Sequence, residues 1–271
     1  MTNVPGIGQD DFDALDNLAN EENVNFLIPG PEAPLVAGIV DHFEKNVPGI
    51  RCFGPAAAAA RMEGSKTFSK DFMKEYNIPT AAYENFSDYE AAKKYLDTVD
   101  HDVVIKADGL AAGKGVIIPQ TKEEAHAALK EIMLDKEFGA AGDKVVIEEF
   151  LQGEECSILS FSDGHAIRSL PPAQDHKRIG EGDTGPNTGG MGTYAPTRVV
   201  TPEQNEEIHK TILQPTIDGM RKSGKGYTPS VSWSTLTTAH RLPIRGVPLH
   251  RLDDDQKGPQ SARVQRPLWR S

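Results

Sequence analysis

Residues 103–118 read Val-Val-Ile-Lys-Ala-Asp-Gly-Leu-Ala-Ala-Gly-Lys-Gly-Val-Ile-Ile, the stretch of the chain richest in usable chemistry. Gly109, Gly113 and Gly115 let backbone N–H groups come close to phosphate oxygens. Lys106 and Lys114 add charge-assisted hydrogen bonds worth about 1.5–3 kcal/mol each. The spacing is not that of a Walker A loop: three residues separate Gly109 from Gly113, and Gly115 stands where Ser or Thr would meet magnesium. Nor does it fit the dinucleotide pattern Gly-x-Gly-x-x-Gly. Apolar residues on both sides predict strand, turn, strand. The segment is either a hairpin flap over a phosphate or an ordinary glycine hairpin, and spacing alone leaves both open.

Four further stretches carry polar chemistry. Gln174-Asp175-His176-Lys177-Arg178 sets two cations beside Asp175 and His176, which suits anionic substrate groups or a plain surface charge cluster. Gly185-Pro186-Asn187-Thr188-Gly189-Gly190-Met191-Gly192 is a flexible loop or a set of hydrogen-bonding partners, Asn187 and Thr188 foremost, for a small polar substrate. Gly30-Pro31-Glu32 falls where a parallel strand ends and a helix begins, a natural place for phosphate or ribose. Glu148-Glu149-Phe150-Leu151 closes an apolar run, for which a buried strand end is reason enough. On position alone Lys66 is a solvated lysine in the first turn of a helix.

These residues need elements to hold them. Asn25–Ile28 and Ile50–Phe53 read as strands flanking a helix over Ala33–Lys45, a parallel βαβ unit. An Ala-rich helix follows Gly54-Pro55, and a second runs from Lys66 to about Tyr76. Capping boxes at Ser87…Glu90, Thr121…Glu124 and Thr201…Gln204 start three more helices. Strands are expected near Asp102–Lys106, Gly115–Pro119, Lys144–Phe150 and Cys156–Phe161, with Asp163-Gly164 turning a hairpin towards His165–Leu170. Val231, Trp233 and Leu236 hint at one more short strand. Arg241–Ser271 sustains neither period and reads as poorly ordered.

Composition narrows the function classes. With 271 residues, 38% hydrophobic and 25% charged, the chain makes one large or two modest domains. No apolar run reaches the roughly 18–20 residues that span a bilayer, and Met1–Ala14 is acidic, unlike a signal peptide. Cys52 and Cys156 match no zinc or disulfide framework, which points to a reducing compartment. From Gly226 onward seven Lys/Arg stand against three Asp, a net of +4, so the rest of the chain carries −15 of its overall −11. An acidic body of that kind excludes a nucleic-acid binder, whose phosphate contacts need a positive face.

Lys106–Val116 resembles the glycine-rich loop of ATP-grasp enzymes, in the form found in the glycinamide ribonucleotide synthetase (phosphoribosylamine–glycine ligase) family. Gly30–Leu35, Gly64-Ser65-Lys66, Val146–Glu155 and Gln174–Gly192 resemble the same family in the same order, covering about Asn25 to Lys225. The resemblance implies that Lys66 and Lys106 hold ATP phosphates while Gly113-Lys114-Gly115 closes over them. It implies that Glu148, Glu149, Phe150 and Leu151 form the adenine hinge, with Glu148 reading the base and Leu151 packing on it. One of Glu154 and Glu155 would meet the ribose, since strand alternation turns only one of them to the nucleotide. Asp175, His176, Lys177, Asn187, Thr188, Gly189, Gly190, Met191 and Gly192 join Gly30, Pro31 and Glu32 as substrate residues, and Lys114 and Arg178 are the catalytic candidates.

The implied fold is an α/β N-terminal remnant with a partial parallel sheet (1–64), then an α+β ATP-grasp domain (65–225) incomplete at its C-terminal side, then an aberrant tail (226–271). The implied activity joins glycine to 5-phosphoribosylamine in the cytoplasm, with ATP and Mg2+ or Mn2+, and without nucleic acid or membrane; oligomeric state is not readable. Two departures from the family stand out. No Gly-Arg-Glu-His turn precedes Asn25, and nothing from Thr228 to Ser271 resembles the Glu-(aromatic)-Asn…Arg-Phe-Gly-Asp-Pro-Glu motif that binds the metal. A shifted reading frame or mis-spliced exon would produce such a tail. The expectation is therefore little or no ligase activity and marginal stability, the alternative function being an inert fragment that at most binds nucleotide.

Overall fold

The Asp11 side chain accepts the Ala14 N–H at 3.1 Å and starts helix α1 (Phe12–Glu21), whose Phe12, Leu15 and Ala19 share one face. In this computed structural model, residues 3–111, 115–182 and 184–224 are described, together with the backbone of 232–234. Strand β1 (Phe26–Leu27) is followed by α2 (Glu32–Ala37), α3 (Ile39–Asn46) and β2 (Arg51–Cys52). β1 and β2 pair in parallel, as the βαβ reading requires. The single helix expected over Ala33–Lys45 is two: Gly38 takes φ +92° between them, a left-handed conformation that ends α2. Ile39, Val40 and Phe43 of α3 pack with Ala19, Ile50 and Cys52 to close this first unit. Helix α1 had no counterpart in the sequence reading.

Helix α4 (Ala57–Gly64) leads directly into α5 (Lys66–Glu75), capped by the Ser65 hydroxyl on the Phe68 N–H. Then come β3 (Tyr83–Phe86), α6 (Tyr89–Thr98), β4 (Val103–Ala107), β5 (Val116–Ile117), α7 (Lys122–Met133) and β6 (Val145–Glu149). The cap of α6 is Asp88, not Ser87: its carboxylate accepts the Ala91 N–H at 2.8 Å. Thr121 caps α7, but Glu124 reaches back to the Gln120 N–H, one residue beyond the expected box. The four strands form an antiparallel sheet in the order β3-β6-β4-β5. Alternation splits β4 and β6 cleanly. Val103, Ile105, Ala107, Val145 and Ile147 face the core under α6 and α7, with Leu96, Leu129 and Ile132. Lys106 and Glu148 are left on the opposite face.

Strands β7 (Ser160–Ser162) and β8 (Ile167–Ser169) make the expected hairpin, its turn held by Asp163 accepting from the His165 and Ala166 N–H groups. The strand expected from Cys156 begins only at Ser160, after a lone bridge at Ser157. Gln174–Tyr194 folds into one long hairpin of four short strands, β9 (Gln174–Asp175), β10 (Arg178–Gly180), β11 (Thr184–Asn187) and β12 (Thr193–Tyr194). Helices α8 (Pro202–Ile208) and α9 (Gln214–Lys222) are joined by a π-helical turn over His209–Leu213, next to Pro215, which has no N–H to offer the α-helical ladder. Thr201 and Gln204 form a complete capping box at the start of α8. The hinted last strand is β13 (Ser232–Ser234), antiparallel to β7. Arg241–Ser271 lies outside the described residues.

Candidate functional site

Helix α5 lies across the polar face of the four-stranded sheet. Its far side packs Phe72 and Met73 against Ile212 and Met220, and Gly219 of α9 sits under the Phe72 and Tyr76 rings. Its near side presents Lys66, Thr67, Lys70 and Asp71. Asn85 of β3 donates to the Thr67 carbonyl and to Asp71, and Tyr83 also donates to Asp71, fixing the helix to the sheet.

Three lysines and a glutamate meet there. Glu148 is buried, and its two oxygens are divided: Oε1 lies 2.8 Å from Lys106 Nζ and Oε2 lies 3.0 Å from Lys70 Nζ. Burial pushes the Glu148 carboxyl up, but Lys106 and Lys70 push harder in the other direction and hold it below the ordinary carboxylate value. Lys66 donates to the Gly109 carbonyl at 3.0 Å. Burial lowers its ammonium from the usual lysine range, Glu63 opposes that shift, and Lys106 adds to it. Lys66 is thus no solvated lysine. It is a half-desolvated cation within the field of a second cation.

The loop above is a true hairpin. β4 and β5 are antiparallel with Lys106 opposite Val116, and the Ala107 N–H donates to the Gly115 carbonyl. The expected strand after the glycines is present as β5, while Gly113 and Lys114 lie outside the described residues. Gly109 packs against Ala141, where a Cβ would come within 2.9 Å of the alanine methyl, and a Cβ on Gly115 would sit 2.7 Å from Ala111 Cβ. Asp108 ties the hairpin to α5: its carboxylate accepts from Ser65 Oγ and the Thr67 N–H, and its carbonyl accepts the Lys66 N–H.

Several sequence-derived residues lie close by. Glu149, Phe150 and Leu151 follow Glu148 at the end of β6, where the Glu149 and Phe150 N–H groups donate to the Ala82 and Asp102 carbonyls. Glu154 and Glu155 precede β7 in chain without strand structure, so alternation does not decide between them; Glu154 is exposed and Glu155 half-buried. Gly30, Pro31 and Glu32 are exposed at the start of α2. Burial raises the Glu63 carboxyl, Glu32 raises it further and Lys66 opposes the rise, so the Glu32 loop and the Lys66 ammonium both act on one carboxylate.

The two segments expected to meet substrate are brought together, but by each other. The His176 N–H donates to Gly192, the Met191 N–H to His176, and the Thr188 N–H and hydroxyl to Lys177. Arg178 pairs in register with Asn187. Gly190 takes φ +130°, and a Cβ there would lie 2.8 Å from Asp175 Oδ1, so the turn admits only glycine without strain. Sequence reasoning missed Lys70. Its one signal was the four-residue spacing from Lys66, which puts both cations on one helical face.

The arrangement can oppose the charge of a polyphosphate: Lys66 reaches the hairpin at the Gly109 carbonyl, and Lys106 shares the ionised carboxylate of Glu148 with Lys70. A divalent cation fits less well. Among the described residues, the group of three potential metal ligands is Asp13, Asp16 and His42, between α1 and α3 and not beside Lys106.

Residues 1–63 match the profile described as phosphoribosylglycinamide synthetase, N domain, and residues 64–237 match phosphoribosylglycinamide synthetase, ATP-grasp (A) domain. The bifunctional purine biosynthetic protein ADE1 of Schizosaccharomyces pombe is 65% identical over 83% of the chain, which covers 28% of that protein. Phosphoribosylamine–glycine ligase of Escherichia coli O6:H1 is 51% identical over 82% of the chain, covering 51% of the relative. The chain thus spans about half, or less, of the curated relatives it matches. The crystal structure of phosphoribosylamine–glycine ligase from Thermotoga maritima superimposes with a TM-score of 0.68 at 34% identity, over 83% of this chain and 53% of that one. A biotin carboxylase from Campylobacter jejuni, 14% identical, shares the fold with a TM-score of 0.64 over 77% of this chain and 46% of that one.

Proposed function

The chain belongs to the phosphoribosylglycinamide synthetase family, with the ATP-grasp fold, and from that premise we propose that it serves the ATP-dependent joining of glycine to 5-phosphoribosylamine in purine biosynthesis. The observation that carries this reading is that Lys66 of α5 reaches the Gly109 carbonyl of the hairpin whose first strand bears Lys106, and that Lys106 pairs with the buried Glu148. In the reaction, a glycine carboxylate oxygen takes the terminal phosphoryl group of ATP and ADP departs. The amine of phosphoribosylamine then adds to the acyl phosphate carbonyl, phosphate leaves, and the amine loses a proton to give the amide. No enzyme nucleophile is needed; positioning and charge neutralisation suffice.

The chain's own residues would divide that work. Lys66 and Lys106 oppose the phosphate charge, and Gly109 and Gly115 let the hairpin backbone approach it, with Gly113 and Lys114 completing the flap. Glu148 to Leu151 would border the adenine, and Glu154 or Glu155 the ribose. The hairpin from Asp175 to Gly192, including Lys177, Arg178, Asn187 and Thr188, would serve the anionic and small polar substrate groups, with Gly30–Glu32 on the phosphoribosylamine side. Residues 1–64 would then be the phosphoribosylamine unit and 65–225 the nucleotide unit. A divalent cation, Mg2+ or Mn2+, accompanies ATP in this reading, and no step is assigned to it. Among the described residues no helix is long and apolar enough to cross a membrane. The purine-biosynthetic reading implies the cytoplasm.

Calorimetric titration of the purified chain with ATP, with and without Mg2+, followed by a turnover assay with glycine and phosphoribosylamine, tests this. Saturable binding with turnover supports the ligase. Binding without turnover identifies a nucleotide-binding fragment, and no binding removes the nucleotide reading altogether.

A further inference from the structure

We propose that Lys70 is a positioning residue that keeps Lys106 available to the nucleotide phosphates by occupying half of Glu148. The inference rests on the nucleotide reading above and goes beyond it, since Lys70 matches none of the motif positions that carry that reading.

Lys70 is poorly placed to be a phosphate ligand itself. An ammonium has three donors. Lys70 Nζ gives one to Glu148 Oε2 at 3.0 Å and one to Thr80 Oγ1 at 2.7 Å, and it stands 5.4 Å from the centre of the Tyr83 ring, within cation–π range. Its side chain is only 9% exposed, against 27% for that of Lys106. Its charge is therefore spent inside the protein.

What that charge does follows from counting. Glu148 and Lys106 alone would form a neutral pair in a region of low dielectric, where a carboxylate 2.8 Å away would compete directly with any phosphate for the lysine. Adding Lys70 leaves two cations on one carboxylate, and the surplus positive charge belongs to the exposed member, Lys106. Lys66, held at the Gly109 carbonyl, continues that positive edge towards the hairpin. The Tyr83 ring and the Thr80 hydroxyl hold Lys70 in place, and Asp108 and Asp71 are engaged with other partners on α5 and β3.

The test uses the full chain, with calorimetry for ATP and ligand-observed NMR for adenosine, which lacks phosphates. Lys70→Met is expected to weaken ATP by about tenfold, the loss of one charge-assisted hydrogen bond, while adenosine binding stays within about twofold. Lys70→Arg restores most of the ATP affinity. Thr80→Val, which removes only the hydroxyl that orients Lys70, shifts ATP in the same direction by a smaller factor and covers the case in which Lys70→Met does not fold. Unchanged ATP affinity in Lys70→Met or, where that variant does not fold, in Thr80→Val overturns the inference. Equal loss of ATP and adenosine does so as well, because that is the mark of a purely structural role. If the unaltered chain binds no ATP, the nucleotide reading itself fails and takes this inference with it.

Discussion

The Asp108 carboxylate accepts the Thr67 backbone N–H at 2.8 Å, although the two residues stand 41 positions apart. That bond, with the Ser65 hydroxyl on the same carboxylate, fastens the glycine-rich hairpin to the first turn of α5. An anion at a helix N-terminus satisfies orphan donors and complements the helix dipole, so one aspartate both caps the helix and sets the height of the loop above it.

Asp108→Ala is therefore expected to cost about 1.5–3 kcal/mol, since it leaves hydrogen bonds to a charged group unmade. Urea unfolding measures this. Asp108→Asn, which keeps an acceptor oxygen, should lose less, and a wild-type midpoint for Asp108→Ala would show that the hairpin is held by something else.

Gly219 faces the Phe72 and Tyr76 rings so closely that a Cβ would lie 2.7 Å from Tyr76 Cγ and 2.8 Å from Phe72 Cζ. Alanine would gain about 1 kcal/mol of helix propensity, but overpacking a buried contact costs about 1–3 kcal/mol. The clash wins because Phe72 is fixed in the core. Gly219→Ala should lower the melting temperature, whereas Gly49→Ala, with open space at its Cβ, should leave it nearly unchanged. Equal melting temperatures for the two variants would contradict the packing of α5 on α9.

Acid should weaken the fold through Glu148. Its carboxyl is held below the ordinary value in the folded chain by Lys106 and Lys70, against the upward push of burial. As pH falls, the unfolded chain takes up this proton first. The carboxylate's contribution is complete above the unfolded pKa and drains away as pH drops through the lower folded one. Unfolding free energies measured between about pH 6 and 3 should fall less steeply in Glu148→Gln than in the unaltered chain. Parallel slopes would refute the assignment.

The two thiols should differ in access and agree in sluggishness. Cys52 is 1% exposed, and burial, then Glu44, pushes its thiol up to about 11. Burial also raises the half-buried Cys156. At neutral pH both are protonated and poor nucleophiles. Iodoacetamide labelling followed by mass spectrometry should modify Cys156 slowly and Cys52 only after unfolding; early modification of Cys52 would mean that the first unit opens readily.

Where chemistry is local, the amino-acid sequence was sufficient. Glycines and lysines flanked by strand-forming residues named the hairpin, Thr201 with Gln204 named a helix start, and Asp163-Gly164 named a turn, because each of these is decided by a few neighbouring backbone groups. Gly38 broke an expected helix because a left-handed residue is a choice between two backbone wells that periodicity does not reveal. The pairing of Gln174–Arg178 with Gly185–Gly192 was also hidden, since short polar strands carry no alternation strong enough to be read.

The site itself belongs to tertiary structure. Lys70 carried no reading of its own within its helix, and Glu148 read as the end of a buried strand. Only when Phe72 and Met73 anchor the far side of α5 does its near side come down on β6 and bring Lys70, Glu148 and Lys106 together. Residue type made Lys106 and the glycines after it candidates for phosphate, and only the family resemblance added Lys66. Which carboxylate Lys106 shares with Lys70 depended on packing, because charge pairing in a buried site is set by distance and desolvation, and neither exists until the helix meets the sheet.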